Sequence, residues 1–581
     1  MASVDDIFKL ESPASGNSTL SEIQLIPLGS DEIYKSAKLS SNGTDRHARV
    51  DAEPEQDDEE QDFGPAMPPD EADDNADEEG RFFGGGITQQ ESRILDYVDE
   101  ADAGAAPDKI DAAWLRKTAL AFEKHITKNA ELRAKFENDP QKFIGSEADL
   151  DADIKGLSVL TEHPELYPEF VGLGCVESLV GLLAHDNTDI AIDAIELLGE
   201  LTDEDVEAED DQWNTLVDGV MAAGLLELLI SNLSRFNEDD ETDRSGVYHS
   251  LGMVENLCSR PAIAAQIGPD TKLLRWLLAR IQRTEAAVTQ NKQYAAEILA
   301  ILAQSGPESR RAIVQLDAVD ALLQLVAQYR KRDPDKGTEE EEYMENLFEA
   351  LTCLVDEEAG KKALVDAEGV ELCLIMLKEG KMSKPPALRL LDHASSGSTG
   401  AAVCQKLVEA GGLKTTFTLF NKTNDNRLLS HLVAIFASML RLLPADSAER
   451  IRTLAKFVEK DYEKISKLIK LHGDYSTRMR QIEQDTAREL RQTPAEEVEV
   501  TILMRRLDAG LATLQTVDTI LAWLVAEDGG ARQRISKLLA SRDEDLSAIK
   551  AVLTEYLSEL DAREEDTQEL TEMLGTLIEF L

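Results

Sequence analysis

From Ala112 onward, apolar residues recur three or four positions apart: Trp114, Ala119 and Phe122, then Leu132, Phe136 and Phe143. Spacing that follows the 3.6-residue helical turn predicts amphipathic helices. Further along, one unit repeats. A glycine or alanine, one or two apolar residues and a leucine-rich helix open at Gly174 (GCVESLV), Gly224 (GLLELL), Ala318 (AVDALL), Gly369 (GVEL) and Gly412 (GLK). After a polar turn or insertion, each is followed by another helix with an Ala/Leu face, and 190–201, 248–257, 294–303, 343–354 and 431–440 are examples of such helices. Glycine at the joint lets the chain turn sharply. A single unit leaves one apolar face bare, so neighbouring units must stack to cover it.

The starts are 50 residues apart from Gly174 to Gly224, 51 from Ala318 to Gly369 and 42 from Gly369 to Gly411. These values lie at or just above the armadillo/HEAT period of about 40–47 residues. Acidic insertions at 237–244 and 333–342 lengthen two of the units and are expected on loops. The predicted architecture is all-α, an armadillo/HEAT-type right-handed superhelical solenoid. An N-terminal helical cap is expected over 106–170, armadillo-type repeats over 171–445, and a C-terminal long-helix region over 446–581. Within the last, 446–490 reads as one or two helices. Residues 495–526 read as one long amphipathic helix bearing Ile502, Leu503, Leu507, Leu511, Leu514 and Ile520. The C-terminal stripes are expected to cap the solenoid end, with a homodimer as the alternative.

Charge narrows the function. With 113 Asp and Glu against 60 Lys and Arg, the net charge of −53 excludes a nonspecific nucleic-acid binder, which needs a positive surface. Residues 51–80 alone hold 15 carboxylates and no base. The stretch 1–105 is rich in Asp, Glu, Ser, Gly, Asn and Pro, and is expected to be largely disordered. Its short apolar segments at 23–28 and 94–98 read as spacer or as docking motifs. Five cysteines without CxxC spacing point to a reducing compartment, not to a disulfide framework or a structural zinc site. The acidic N-terminus does not resemble a secretory leader, and no apolar run is long enough to span a bilayer. No membrane partner is expected.

Candidate chemistry is sparse. Asp149, Asp151 and Asp153 alternate, but the string lacks the glycine and distal glutamate of a calcium loop. It is expected at a helix start, where carboxylates suit the helix dipole. The eight histidines form no HExxH, and no phosphate-binding loop, GxSxG or kinase signature is present. No enzymatic activity, metal or cofactor is expected. The GGG of RFFGGGITQQ reads as linker.

A concave solenoid instead displays one row of side chains per repeat and binds an extended segment. In armadillo proteins an asparagine on the third helix hydrogen-bonds that segment's backbone. Asn256 stands at this position, but Glu200, Ile301, Cys353 and His393 occupy it in the other rows. A continuous asparagine ladder, the importin-alpha mode, is therefore missing. The acidic neighbours Glu196, Glu200, Glu255, Glu297, Glu345, Glu349 and Asp392 are the candidate groove residues with Asn256. They would attract a Lys/Arg-rich partner.

Specific text carries a resemblance further. ELRAKFENDPQKFIGSEADL (131–150), LLAHDNTDIAIDAIELLGELTD (182–203) and NKQYAAEILAIL (291–302) resemble the beta-catenin-like protein 1 family of nuclear, spliceosome-associated armadillo proteins. MENLFEALTCL (344–354), ALRLLDHA (387–394) and RRLDAGLATLQ (505–515) continue the match in order. The resemblance implies a non-enzymatic nuclear scaffold of a Prp-nineteen-type splicing complex. Its implied partners are basic segments of splicing factors and the Myb-like component of that complex. Family members carry a basic localisation cluster before the acidic stretch, whereas this chain has only the dispersed Lys35, Lys38, Arg46, His47 and Arg49. A nuclear transport adaptor is the alternative reading, but it would need a basic arm where residues 51–80 are acidic.

Overall fold

Gly174, Gly224 and Gly411 all adopt the left-handed backbone region, with φ of 80°, 81° and 76°, and each is the residue on which a helix begins. The computed structural model describes residues 109–489, 495–560 and 565–581. The acidic 51–80 run, the disorder expected over 1–105 and the two short apolar segments lie outside the described residues. Two compact units are distinguished: one holds 109–477 and 512–581 among its described residues, the other 478–511.

In the first unit, cap helices α1 (Ala112–Lys135) and α2 (Ile144–Gly156) precede six helix triplets. The first two triplets are α3 (Tyr167–Gly172), α4 (Cys175–Leu182) and α5 (Thr188–Thr202), then α6 (Asp210–Ala222), α7 (Leu225–Arg235) and α8 (Glu241–Cys258). The next two are α9 (Pro261–Ile267), α10 (Thr271–Gln282) and α11 (Gln290–Gln304), then α12 (Pro307–Val314), α13 (Ala318–Val326) and α14 (Glu339–Leu354). The last two are α15 (Glu358–Asp366), α16 (Gly369–Glu379) and α17 (Lys384–Ser395), then α18 (Ala401–Glu409), α19 (Gly412–Lys422) and α20 (Asn426–Leu442). Third helices stack on one another from α5 to α20. This is the predicted all-α armadillo solenoid.

The third helices are buried on more than one face. In α5, Ile190, Ala191, Ile192, Ala194, Ile195, Leu197, Leu198 and Leu201 are all buried, because cap helix α2 and the next third helix, α8, flank it while its own triplet covers its back. Side chains tie repeats together by taking carbonyls left open at helix ends. Asn232 donates to the Leu183 carbonyl at 2.9 Å, Trp276 to Leu233 at 2.8 Å and Ser383 to Tyr329 at 2.9 Å. Aspartates at 240, 270 and 425 cap the starts of α8, α10 and α20.

Several expectations are corrected. Six triplets are present where five openings were read, because the third opens through Pro269 and Asp270 and has no left-handed glycine. Only the first parts of the acidic insertions are loops. Glu241–Arg244 and Glu339–Glu342 form the first turns of α8 and α14, where carboxylates meet the positive end of the helix dipole. Asp149, Asp151 and Asp153 lie toward the C-terminal end of α2, not at its start. Each is tied to a separate base: Lys128 at 3.0 Å, Lys155 and His125 respectively.

At two joints the left-handed residue is not glycine. Asp317 (φ 56°) and Glu368 (φ 57°) take that role, and Gly369 is needed for a different reason. A Cβ on Gly369 would stand 2.5 Å from Leu364 Cδ1 and 2.9 Å from Leu323 Cδ1. Glu368→Gly is therefore expected to stabilise the fold by about 0.5–1 kcal/mol, the relief of left-handed strain less the added entropy of the unfolded chain. Gly369→Ala should cost about 1–3 kcal/mol through overpacking. Urea midpoints of the two variants that moved in the same direction would contradict this assignment.

Beyond the repeats, α21 (Ala448–Glu489) is broken inside: Lys460, Asp461 and Tyr462 are all left-handed. The predicted single helix at 495–526 is two, α22 (Ala495–Asp508) and α23 (Leu511–Glu527), separated at Gly510 with φ of 99°. Helices α24 (Gly529–Ala540), α25 (Leu546–Glu559) and α26 (Glu565–Phe580) complete the chain. No single helix among the described residues is long and apolar enough to cross a membrane.

Candidate partner groove

Successive third helices place the sequence-derived acidic residues in a connected row. Glu196 and Glu200 lie on α5, Glu255 and Asn256 on α8, Glu297 on α11, Glu345 and Glu349 on α14, and Asp392 on α17. The structure sorts them into two kinds.

Three acids already have basic neighbours on the next third helix. Glu196 faces His249 at 3.7 Å, Glu349 pairs with Arg389, and Asp392 meets His431 Nδ1 at 2.8 Å. Asn256 is also engaged within the protein. Its amide donates to the Gly199 carbonyl at 2.9 Å and lies 3.5 Å from the Thr202 hydroxyl. That bond ties α8 to the end of α5.

Glu200, Glu255, Glu297 and Glu345 form no ion pair among the described residues, and each is costly to ionise. Burial raises the Glu200 carboxyl, with Glu196 adding to the effect. Burial also raises Glu345, reinforced by Glu341 and Glu342 and opposed by Arg389. Glu255 is raised by burial and by Glu204 and Asp203, against the hydrogen bond it accepts from the Tyr294 hydroxyl. Glu297 goes furthest. Burial pushes it up to about 7, Glu255 and Glu342 add to the rise, and the Gln293 amide opposes it at 2.8 Å.

Sequence reading passed over two tyrosines at the centre of this row. Tyr248 and Tyr294 lie with ring centroids 5.2 Å apart, and Tyr248 is 39% exposed. Their signal was present in the spacing. Tyr248 precedes Glu255 by seven residues and Tyr294 precedes Glu297 by three, so each shares a helix face with its acid. Aromatic faces beside unpaired carboxylates suit a lysine or arginine side chain, which gains from both.

Among the described residues, no three His, Cys, Asp or Glu side chains converge as metal ligands. The five cysteines are free thiols.

Comparison with known proteins agrees in extent. The sequence model described as "Catenin-beta-like, Arm-motif containing nuclear" matches residues 92–554. Beta-catenin-like protein 1 homolog of Schizosaccharomyces pombe is 38% identical over 495 residues, which covers 85% of this chain and 87% of that protein. Beta-catenin-like protein 1 of Homo sapiens is 36% identical over 492 residues, covering 81% and 86%. Among solved structures, a designed armadillo repeat protein overlays 45% of this chain at 14% identity and a TM-score of 0.35, too partial an overlay to add to the fold already described.

Proposed function

Since the chain belongs to the catenin-beta-like family of armadillo-motif nuclear proteins, we propose that it serves as an adaptor of a Prp-nineteen-type pre-mRNA splicing complex, taking basic segments of nuclear partners into its acidic groove. That it is a nuclear, non-catalytic armadillo scaffold follows from the family itself. The finer reading rests chiefly on one observation: Glu200, Glu255, Glu297 and Glu345 form no ion pair among the described residues and each is crowded by a neighbouring carboxylate, with Glu255 and Glu297 set against Tyr248 and Tyr294.

Carboxylates held this close repel one another, and a lysine or arginine arriving among them relieves that repulsion. An extended chain crossing the third helices could place successive basic side chains against successive repeats. The Myb-like component of the complex and splicing factors with basic tails are the partners this reading names. A transport adaptor would use the same chemistry, but the carboxylate-only run at 51–80 is opposite in charge to the basic arm such an adaptor requires.

The test is affinity capture of the tagged full chain from nuclease-treated nuclear extract, with quantitative mass spectrometry. Splicing-complex subunits, the Myb-like component included, are expected with the wild type. They should be depleted about tenfold by the combined Glu200→Lys, Glu255→Gln and Glu345→Lys substitutions, and released between about 0.05 and 0.5 M salt. Capture dominated by karyopherins, or unchanged in the variant, would contradict the reading.

A further inference from the structure

The acidic balance of the chain reverses at the C-terminal end of the repeats. Residues 411–470 hold 11 Lys and Arg against 6 Asp and Glu, in a protein with nearly two carboxylates for every base. Part of this excess gathers in one cleft between the start of α19 and the first half of α21. Gly411, Lys414, Arg452, Lys456 and Glu459 are among the residues that line it.

The single carboxylate there is already occupied. Glu459 accepts from Lys456 at 3.1 Å and from Lys464 at 2.8 Å, and those hydrogen bonds, Lys464 first, hold its carboxyl below the usual range. Lys414 and Arg452 are exposed and form no ion pair among the described residues. Lys460, the next residue in the chain, is likewise exposed and unpaired. Where carboxylates are so abundant, cations left together without one mark a surface suited to a polyanion.

We propose that this basic cleft is the docking surface for the chain's own carboxylate run, residues 51–80. Complementarity is the first argument. The run carries 15 carboxylates and no base, so it is repelled by the acidic groove of the earlier repeats and attracted to their C-terminal end. Reach is the second. The 28 residues between 80 and 109 extend to about 100 Å, whereas the five steps between the six stacked third helices, at 8–10 Å each, cover about 50 Å. Tethering also gives the run an effective concentration that no free polyanion matches at low abundance. Docked there, it leaves the groove open to basic partners.

Zero-length carbodiimide coupling of the full chain tests this, because it joins only carboxylates and amines already in contact. At about 50 mM salt, couplings from 51–80 are expected to concentrate on Lys414, Lys456 and Lys460, and to disappear at about 500 mM. Arg452→Glu keeps all three amines yet reverses the charge between them, and should reduce the couplings about fivefold. Because that variant alters the folded unit, a second one neutralises the Asp and Glu of residues 51–80 to Asn and Gln and follows protection of the same lysines from acetylation. Lysine protection should be lost. Couplings spread evenly to Lys128 and Lys378, or indifferent to Arg452→Glu, would overturn the proposal. So would couplings that join isotopically light to heavy chains, which would make the contact one between copies. A U-rich oligonucleotide bound by the wild type but not by Arg452→Glu, with no coupling to 51–80, would assign the cleft to nucleic acid instead.

Discussion

Arg450→Met is expected to destabilise the C-terminal end of the solenoid by about 3–5 kcal/mol, the usual cost of leaving one member of a buried ion pair without its partner. Arg450 is fully buried and meets Glu527, whose side chain is only 12% exposed. Its guanidinium also donates to the Leu440 and Leu443 carbonyls at the end of α20 and lies 4.7 Å from the ring centre of Trp523. One side chain thus satisfies the open end of the last repeat helix and joins it to α23. Methionine keeps much of the volume but leaves the Glu527 charge and two carbonyls unanswered. Hydrogen exchange read by mass spectrometry should show faster exchange across α20 and α23, with the cap helices unchanged. The double variant Arg450→Met, Glu527→Leu should recover much of the loss, because the uncompensated charge leaves with its carboxylate. A single-variant effect below about 1 kcal/mol would show that the ion pair is not what joins these helices.

A lysine- and arginine-rich peptide is expected to bind about tenfold more tightly at pH 8 than at pH 6, through the proton held by Glu297. Its carboxyl is raised to about 7 by burial first and by Glu255 and Glu342 after that, so at pH 6 most of it is protonated in the free protein. A bound cation favours the carboxylate, and binding therefore expels that proton. Affinity must then rise with pH through the free-state value and level off above it. Stability runs the other way. A carboxyl raised in the folded state contributes most below its ordinary unfolded value, and that contribution is lost as pH climbs toward about 7. Around it stand Glu255 and Tyr248 from α8, Glu342 from α14, and Tyr294 and Gln293 on its own helix. Glu297→Gln should flatten both profiles between pH 6 and 8 and raise the thermal midpoint at pH 8. Fluorescence anisotropy of a labelled peptide is the measurement. A flat wild-type profile, or one unchanged in Glu297→Gln, would remove Glu297 from the groove.

Much of this molecule was legible in its text. Apolar residues at helical spacing announce the helices, and the recurring Gly-apolar-Leu openings announce that they stack, because a striped helix has to be covered by a neighbour. The acidic character of the third-helix positions was readable too, since those positions repeat and their residue types can be compared. That much follows from local periodicity and composition.

Which of those residues remain available was decided only by the tertiary structure. Arg389 neutralises Glu349 from 40 positions away, His431 meets Asp392 across 39, and Tyr294 reaches Glu255 across 39. The Asn256 amide is engaged by a carbonyl 57 residues earlier. Periodicity places a side chain on a face, but ion pairing, hydrogen bonding and desolvation depend on atoms that meet only when one repeat lies on the next. The same holds for the backbone at Glu368, where a glutamate takes the left-handed turn because Gly369 must fit between Leu364 and Leu323. By itself the sequence determined which helices form and what charge they carry; stacking decided which charges stay unpaired, because pairing is a relation between repeats that no single repeat contains.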